Sequence, residues 1–366
     1  MPQHINSRQL IELRNFGSNP GLLKCWLYLP TILAPKTALV VVLHGCTQNA
    51  ATYDHGSGWS KLAEEKGFAV LFPEQQRANN ANLCFNWFEQ SDIRRDAGEA
   101  LSIREMIGHV VESHGMDPDK IFITGLSAGG AMANVMLATY PEVFAGGAII
   151  GGLAYGTASG VAQAFERMRG RNAPSVRQMQ SALTTAASSW GACPSISVWH
   201  GTHDQTVKPV NAEQIAHQWA GVHQISDTPD LIQSINGHRR KVWLNESGKE
   251  VIEVNLIKGM AHGVPLSITA KAPLGNPGPF MLEAGISSTA RIARSWGLAD
   301  EADVAIAEGA FEPGPEHINA PSGIEAVLAK AMAYAKPSAA HNGGVRDDRG
   351  VGKVINDALR AAGLMR

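Results

Sequence analysis

Short, continuously apolar runs recur along this 366-residue chain, bounded by glycine, proline and polar residues and separated by helical patterns. A half-exposed strand alternates apolar and polar residues, whereas a strand covered on both faces is apolar throughout. The runs therefore predict an α/β fold, a mostly parallel central sheet with helices on both faces. The predicted strands cover residues 22–29, 38–43, 68–72, 120–124, 195–200 and 251–257.

The clearest predicted helix follows Asp96, which has the spacing of a capping box with Glu99. An apolar stripe at helical spacing continues it, made by Ile103, Met106, Ile107, Val110 and Val111. Residues 151–194 have a looser helical pattern and are predicted as a helical cap insertion within a domain that spans residues 1–298. Residues 299–366 form a predicted C-terminal extension, with a flexible linker at 337–352 and a short amphipathic helix at 354–364.

Composition excludes several classes of partner. Hydrophobic residues make up 44% of the chain and charged residues 17%, and the formal net charge of -2 disfavours nucleic acid as a partner. We find no run near the roughly 20 apolar residues that cross a bilayer, so no membrane association is predicted. The polar start, Met1 to Leu13, predicts no signal peptide. The four cysteines lack metal-site spacing, and either one disulfide or four reduced thiols fits them.

The segment Gly125-Leu126-Ser127-Ala128-Gly129 follows an apolar strand and leads into a helix-forming stretch. This is G-x-S-x-G in the strand-turn-helix context of a nucleophile elbow, where small flanking residues relieve the steric crowding of a strained turn. The first amides of the helix, beginning with Ala128, point at the reaction centre and can stabilise an oxyanion. Ser127 is therefore the candidate nucleophile; the alternative is an ordinary glycine-rich turn.

A serine hydroxyl needs a base, and in this arrangement the base follows a late strand of the sheet. His262 fits that place, in the sequence GMAHG directly after the predicted strand 251–257. The competing histidines, His217, His223 and His238, lie in polar sequence and are interpreted as surface residues.

A carboxylate must orient the imidazole, and it precedes the histidine in chain order. Asp204 lies in the loop after the predicted strand 195–200, where open α/β sheets build their sites. Its neighbours His200 and His203 are interpreted as a strand-end residue and an exposed residue. Asp227 and Asp230 are weaker candidates, because no predicted strand precedes them.

A second oxyanion donor is expected after an earlier strand, and the run Val40-Val41-Val42-Leu43-His44-Gly45-Cys46 has that form. The backbone amide of Cys46 is the candidate donor. The alternative is an ordinary strand exit at His44 and Gly45. The Cys46 thiol itself has no companion base in the sequence.

Five segments together resemble the poly(3-hydroxybutyrate) depolymerase family of esterases. They are LHGCTQ at 43–48, FNWF at 85–88, GLSAGG at 125–130, HGTHDQTV at 200–207 and GMAHG at 259–263. The resemblance runs from about residue 16 to about residue 298 and returns at 354–366. The same core also resembles feruloyl and acetylxylan esterases.

The resemblance implies an α/β-hydrolase fold and hydrolysis of short-chain hydroxyalkanoate esters, poly- or oligo-3-hydroxybutyrate, without metal or cofactor. It implies a triad of Ser127, Asp204 and His262 and an oxyanion hole from the Cys46 and Ala128 amides. Trp87 and His44 are the expected substrate contacts, and Cys46 and Cys84 match positions that pair as a disulfide. A binding protein that retains this fold without catalysis is the alternative class; it would bind esters without turnover.

Overall fold

A ten-stranded sheet runs through the part of the chain that the computed structural model describes, residues 10–187, 191 and 193–308. The order across the sheet is β1-β2-β4-β3-β5-β6-β7-β10-β9-β8. From β4 to β10 in that order the strands are parallel, and the strands at both edges are antiparallel. The strands are β1 (Ile11–Leu13), β2 (Lys24–Tyr28), β3 (Leu39–Leu43), β4 (Ala69–Glu74), β5 (Ile121–Leu126), β6 (Gly146–Ile150), β7 (Ser195–Gly201), β8 (Leu231–Ile235), β9 (His238–Leu244) and β10 (Glu250–Ile257).

Helices cover both faces of this sheet. One apolar cluster packs α3, α4, α5, α6 and α7 on one face, and a second packs α1, α2, α8 and α9 on the other. A separate pair of parallel strands joins β11 (Val264–Leu266) to β12 (Met281–Glu283). In the described part of the chain, no helix is both long and apolar enough to span a bilayer. The helices are α1 (Ala50–Ser57), α2 (Trp59–Lys66), α3 (Gly98–His114), α4 (Ala128–Thr139), α5 (Val161–Met168), α6 (Val176–Ala186), α7 (Val210–His223), α8 (Ser288–Ser295) and α9 (Glu301–Glu308).

Strand β3 shows why the central runs are continuously apolar. Leu39, Val41 and Leu43 belong to one cluster, and Val40 and Val42 belong to the other. Successive side chains of a strand point to opposite faces, and helices cover both faces here, so all five side chains are buried. The predicted mostly parallel α/β sheet is confirmed.

All six predicted strands are present, with ends shifted by up to two residues. Strand β6 was not predicted, since two of its five residues are glycine. Strands β8 and β9 were not predicted either. Their sequences, LIQSI and HRRKVWL, lack a continuous apolar run: β8 is exposed along most of its length and β9 carries three charged residues, as occurs in antiparallel strands near a sheet edge.

The segment predicted as a cap forms α5 and α6. Helix α6 packs against α4 and α7, and Gln218 of α7 donates a hydrogen bond to the Met179 carbonyl at 2.9 Å. Beyond residue 298, α9 packs against α8, where the buried Glu308 accepts hydrogen bonds from Arg291 at 2.5 and 2.7 Å. The predicted linker at 337–352 and helix at 354–364 lie outside the described residues.

The start of α3 differs from the predicted capping box. Ala97 is the N-cap without a capping side chain, and Asp96 has a positive φ of 61°. Glu99 is 1% exposed, and its carboxylate accepts hydrogen bonds from Gln75 and Asn86. The predicted capping box is therefore wrong. The spacing of Asp96 and Glu99 fits such a box, but it does not show that the Glu99 side chain is buried and bonded elsewhere.

Burial raises the pKa of Glu99 to about 8 from an ordinary 4.5. A carboxyl whose pKa rises on folding holds its proton more tightly in the folded state, so it contributes stability at low pH that is lost as pH rises. We expect the free energy of unfolding to fall by a few kcal/mol between about pH 4.5 and about pH 8. The Glu99→Gln variant should lose most of this dependence, as measured by urea titration at both ends of the range.

Glu105→Gln is the matched control, because Glu105 lies on the same helix and also accepts backbone hydrogen bonds, at Ser18 and Asn19. That variant should keep the wild-type dependence. An equal pH dependence in Glu99→Gln would assign the effect to another carboxyl.

Candidate active site

Ser127 occupies a strained turn between β5 and α4. Its φ of 57° and ψ of -118° lie outside the regions that a residue with a side chain readily adopts. The Ser127 amide donates a hydrogen bond to the Ile150 carbonyl at 2.8 Å, which fixes the turn to the end of β6. Strain of this kind persists only where surrounding contacts enforce it, and it clusters at functional sites.

The two glycines of the motif are required by close backbone contacts. A Cβ atom on Gly125 would lie 2.4 Å from the Gly129 carbonyl oxygen, and one on Gly129 would lie 2.4 Å from the carbonyl oxygens of both Leu43 and His44. The Gly129 contacts bring the start of α4 directly onto the end of β3. The turn after β3, which holds Cys46, is therefore next to Ser127.

His262 and Asp204 form a buried hydrogen-bonded pair on loops that follow neighbouring strands. The His262 Nδ1 atom donates to Asp204 Oδ2 at 2.6 Å, and the two residues are 6% and 1% exposed. Asp204 follows β7 and His262 follows β10, which are paired in parallel. Gly201 permits this approach, since a Cβ there would lie 2.2 Å from the Met260 carbonyl oxygen.

The Asp204 carboxylate is held by several donors. Its Oδ1 atom accepts the backbone amides of Thr206 and Val207, each at 2.8 Å. Burial opposes ionisation of Asp204, but the attraction of His262 and hydrogen bonds from His200 and His262 hold its pKa below the usual range. An aspartate that stays ionised while buried can fix one tautomer of the imidazole and stabilise its positive charge.

Sequence reasoning did not assign His200 to this cluster. Its ring is fully buried, and its Nε2 atom lies 2.7 Å from the Val207 carbonyl oxygen and 3.3 Å from Asp204 Oδ2. Both neighbours are acceptors, so Nε2 carries the proton. The available signal was the four-residue spacing between a strand-end histidine and the aspartate of the next loop.

Gly151 follows β6 and lies against the His262 ring. A Cβ atom there would be 3.0 Å from His262 Cε1 and 3.2 Å from Nδ1, at a φ of +53°. We expect Gly151→Ala to displace the imidazole and lower kcat about 100-fold, the scale of effect of a 1 Å misplacement. Gly156→Ala is the control, because Gly156 has a similar φ of +70° but faces Ala182. Thermal unfolding should show a similar loss of stability in the two variants. A comparable loss of kcat in Gly156→Ala would contradict the steric explanation.

The turn after β3 is tied down on both sides of Cys46. Cys46 and Cys84 are joined as a disulfide with their Cα atoms 4.3 Å apart. The neighbouring amides are engaged, that of Gly45 with Gln48 Oε1 at 2.9 Å and that of Thr47 with the Asn82 carbonyl at 2.7 Å. The Ala128 amide is the first of α4 and takes no part in the hydrogen bonds of its own helix.

His44 is part of this turn. Its ring is 1% exposed; Nε2 accepts the Gln75 amide at 3.1 Å, and Nδ1 donates to the Gly45 carbonyl at 2.8 Å. Both ring nitrogens of His44 are therefore engaged with the protein backbone. Trp87 is 7% exposed, and its ring meets Phe88 edge to face at 5.4 Å.

The sequence did not reveal the roles of Phe280 and His238. The Phe280 ring, which is partly exposed, approaches the His262 ring edge to face at 6.1 Å, so it forms part of the site wall. His238 is buried rather than on the surface, and it anchors the Ala284 carbonyl at 2.9 Å. Asp227 and Asp230 are exposed, as their interpretation as loop residues predicts.

Ser127 follows β5, a central parallel strand, and the hydrogen-bonded aspartate and histidine come later in the chain, after β7 and β10. This order along the chain and across the sheet is that of an α/β-hydrolase.

Comparison with known proteins identifies the branch of that class. The family model described as esterase PHB depolymerase matches residues 23–243. The chain is 40% identical over 295 residues to poly(3-hydroxyalkanoate) depolymerase C of Paucimonas lemoignei, covering 79% of this chain and 70% of that protein. It is 30% identical over 272 residues to an acetylxylan esterase of Coprinopsis cinerea, covering 72% of each. A solved acetyl xylan esterase from Aspergillus awamori is similar at a TM-score of 0.64 and 26% identity, covering 69% of this chain and 94% of that one.

The chain belongs to the esterase PHB depolymerase family, and it is a carboxylic ester hydrolase.

Proposed function

We propose that the enzyme hydrolyses short-chain hydroxyalkanoate esters, such as 3-hydroxybutyrate oligomers, through a triad of Ser127, His262 and Asp204. The observation that carries the proposal is the buried hydrogen bond of 2.6 Å between His262 Nδ1 and Asp204 Oδ2. This bond leaves Nε2 of His262 for the serine. Gly151 lies against the imidazole and directly follows Ile150, whose carbonyl accepts the Ser127 amide.

In this mechanism the Ser127 oxygen attacks the ester carbonyl while His262 takes the hydroxyl proton. His262 then gives that proton to the departing alcohol, and a covalent acyl-enzyme remains on Ser127. Water, activated by the same imidazole, releases the acid. Asp204 keeps the imidazole in one orientation and stabilises its charge in both steps.

The carbonyl oxygen becomes negative in both transition states, and the proposed donors to it are the amides of Cys46 and Ala128. The close contact of Gly129 with Leu43 and His44 supports this pairing, because it brings the two turns together. Such donors contribute about 100- to 1,000-fold each to kcat. Trp87, from the segment cross-linked to Cys46, is proposed to line the cleft for the acyl chain.

The substrate class rests on the 40% identity to poly(3-hydroxyalkanoate) depolymerase C. The acetylxylan esterases found in both comparisons favour a second candidate, an esterase for acetyl or feruloyl groups of plant polysaccharides. A pocket for a hydroxyacyl oligomer and one for an aromatic or acetyl group differ in which transition state they bind, so relative kcat/KM values separate them.

The test is hydrolysis of soluble 3-hydroxybutyrate oligomers, acetylated xylo-oligosaccharides and methyl ferulate by the wild-type enzyme, with Ser127→Ala as the background. We expect the highest kcat/KM for the hydroxybutyrate oligomers and no turnover above background in the variant. A higher kcat/KM for either of the other substrates would assign the enzyme to the second candidate. Wild-type binding without turnover of any ester would identify a non-catalytic binding protein.

A further inference from the structure

Hydrogen bonds through Gln75 and His44 connect the buried Glu99 side chain to the turn that carries Cys46, and the mechanism above does not use Glu99. Its Oε1 atom accepts Gln75 Nε2 at 2.6 Å and Asn86 Nδ2 at 2.8 Å, and its Oε2 atom accepts the Asn86 amide at 2.9 Å. These partners are neutral, and burial, with a smaller contribution from the nearby Asp92 carboxylate, raises the pKa of Glu99 to about 8. An acidic side chain that is buried among neutral partners is costly for stability once it ionises, which points to another role.

Gln75 connects this carboxylate to the turn after β3. While its side chain donates to Glu99, its backbone amide donates to His44 Nε2 at 3.1 Å. That bond leaves the proton of the ring on Nδ1, which donates to the Gly45 carbonyl at 2.8 Å. The Gly45 carbonyl and the Cys46 amide belong to one peptide unit, and in a trans peptide they point in opposite directions. Fixing the Gly45 oxygen therefore fixes where the Cys46 N–H points.

Asn86 connects the same carboxylate to the other side of the site. Glu99 holds its backbone amide and its side chain together, and Cys84, two residues earlier, is cross-linked to Cys46. Gln75 also donates to the Cys84 carbonyl at 3.1 Å. Glu99 thus restrains the Cys46 turn by two routes, one through hydrogen bonds and one through the disulfide.

We propose that Glu99 is a positioning residue of the esterase, which orients the Gly45–Cys46 peptide through Gln75 and His44 and so aims the Cys46 amide at the substrate oxygen. This inference rests on the proposed function, since it assigns the Cys46 amide to the oxyanion hole. Misalignment of that donor weakens transition-state stabilisation and leaves ground-state binding nearly unchanged.

The test compares full-length Glu99→Gln with Glu105→Gln, the control on the same helix whose carboxylate holds the turn at Ser18 and Asn19. At about pH 9, the pH of these assays, Glu99 is ionised and accepts from all three donors, whereas in Glu99→Gln an amide NH₂ faces groups that are themselves donors. With p-nitrophenyl butyrate we expect kcat to fall about 10- to 100-fold, with KM changed less than about threefold. The rate at which a phosphonate ester labels Ser127 should fall in parallel, because that reaction also develops an oxyanion. In Glu105→Gln both rates should stay within about twofold of wild type.

Two His44 variants test the same chain without altering the buried carboxylate. His44→Leu should lose kcat as Glu99→Gln does, and His44→Asn, whose amide can still donate to the Gly45 carbonyl, should recover part of it. The inference is overturned if Glu99→Gln and Glu105→Gln have equal kcat, or if His44→Asn is no better than His44→Leu. Turnover that survives in Ser127→Ala would instead overturn the proposed function itself, so the two failures are distinguishable.

Discussion

Replacement of His262 by alanine is expected to lower kcat for p-nitrophenyl butyrate by about 10⁵-fold, with little change in thermal stability. Without the imidazole the Ser127 proton has no acceptor, and Asp204 cannot act on the serine directly because its Oδ2 atom is directed at His262 Nδ1. Triad members work as one unit, so their effects do not add. The double variant Ser127→Ala, His262→Ala should therefore be no slower than either single variant by more than about tenfold.

His203→Ala is the matched control for this experiment. His203 is one residue before Asp204 in the same loop, but its side chain is exposed; its backbone amide donates to the Met260 carbonyl, and its carbonyl accepts from Gln205 Nε2. Its kcat should stay within about twofold of wild type, the range of an ordinary surface substitution. A His262→Ala enzyme that keeps more than about one per cent of wild-type kcat would remove His262 from the base role.

Gly129→Ala is expected to lower the free energy of unfolding by about 4 kcal/mol or more, a loss at the extreme of single substitutions. The added Cβ would lie 2.4 Å from the carbonyl oxygens of both Leu43 and His44. Those atoms are backbone at the end of β3, which is paired on both sides by β4 and β5, so they cannot move aside cheaply. Urea unfolding followed by tryptophan fluorescence measures the loss.

Gly108→Ala separates this steric effect from the general effect of replacing a helical glycine. Gly108 lies within α3, and a Cβ there would meet the end of the Arg104 side chain at 3.0 Å, a group free to move. Alanine is favoured over glycine in a helix by about 1 kcal/mol, so this variant should be as stable as wild type or more so. Equal unfolding free energies for the two variants would mean that α4 can shift away from β3.

Much of the sheet was predictable because burial on both faces leaves a local signature. Each residue of β3 faces one of two apolar layers, so the strand appears in the sequence as an unbroken apolar run. The same reasoning missed β6, where glycines replace large side chains, and β9, where three charged residues interrupt the apolar pattern. Glu99 was assigned to a capping box for a related reason: its spacing from Asp96 is the same whether the carboxylate caps the helix or is buried.

The elbow at Ser127 could be predicted from the sequence, because the apolar strand, the serine and its flanking glycines are contiguous in the chain. The sequence also indicated which loops carry His262 and Asp204, since each loop directly follows an apolar strand. Which side chains meet depends on the tertiary fold: Asp204 and His262 are 58 residues apart in the chain, and Glu99 and Gln75 are 24 residues apart. Such contacts depend on strand order and burial, which bring together atoms that no local pattern relates. For the same reason the sequence did not predict the backbone contacts of His44, which depend on the pairing of β3 with β4 and on Gln75 directly after β4.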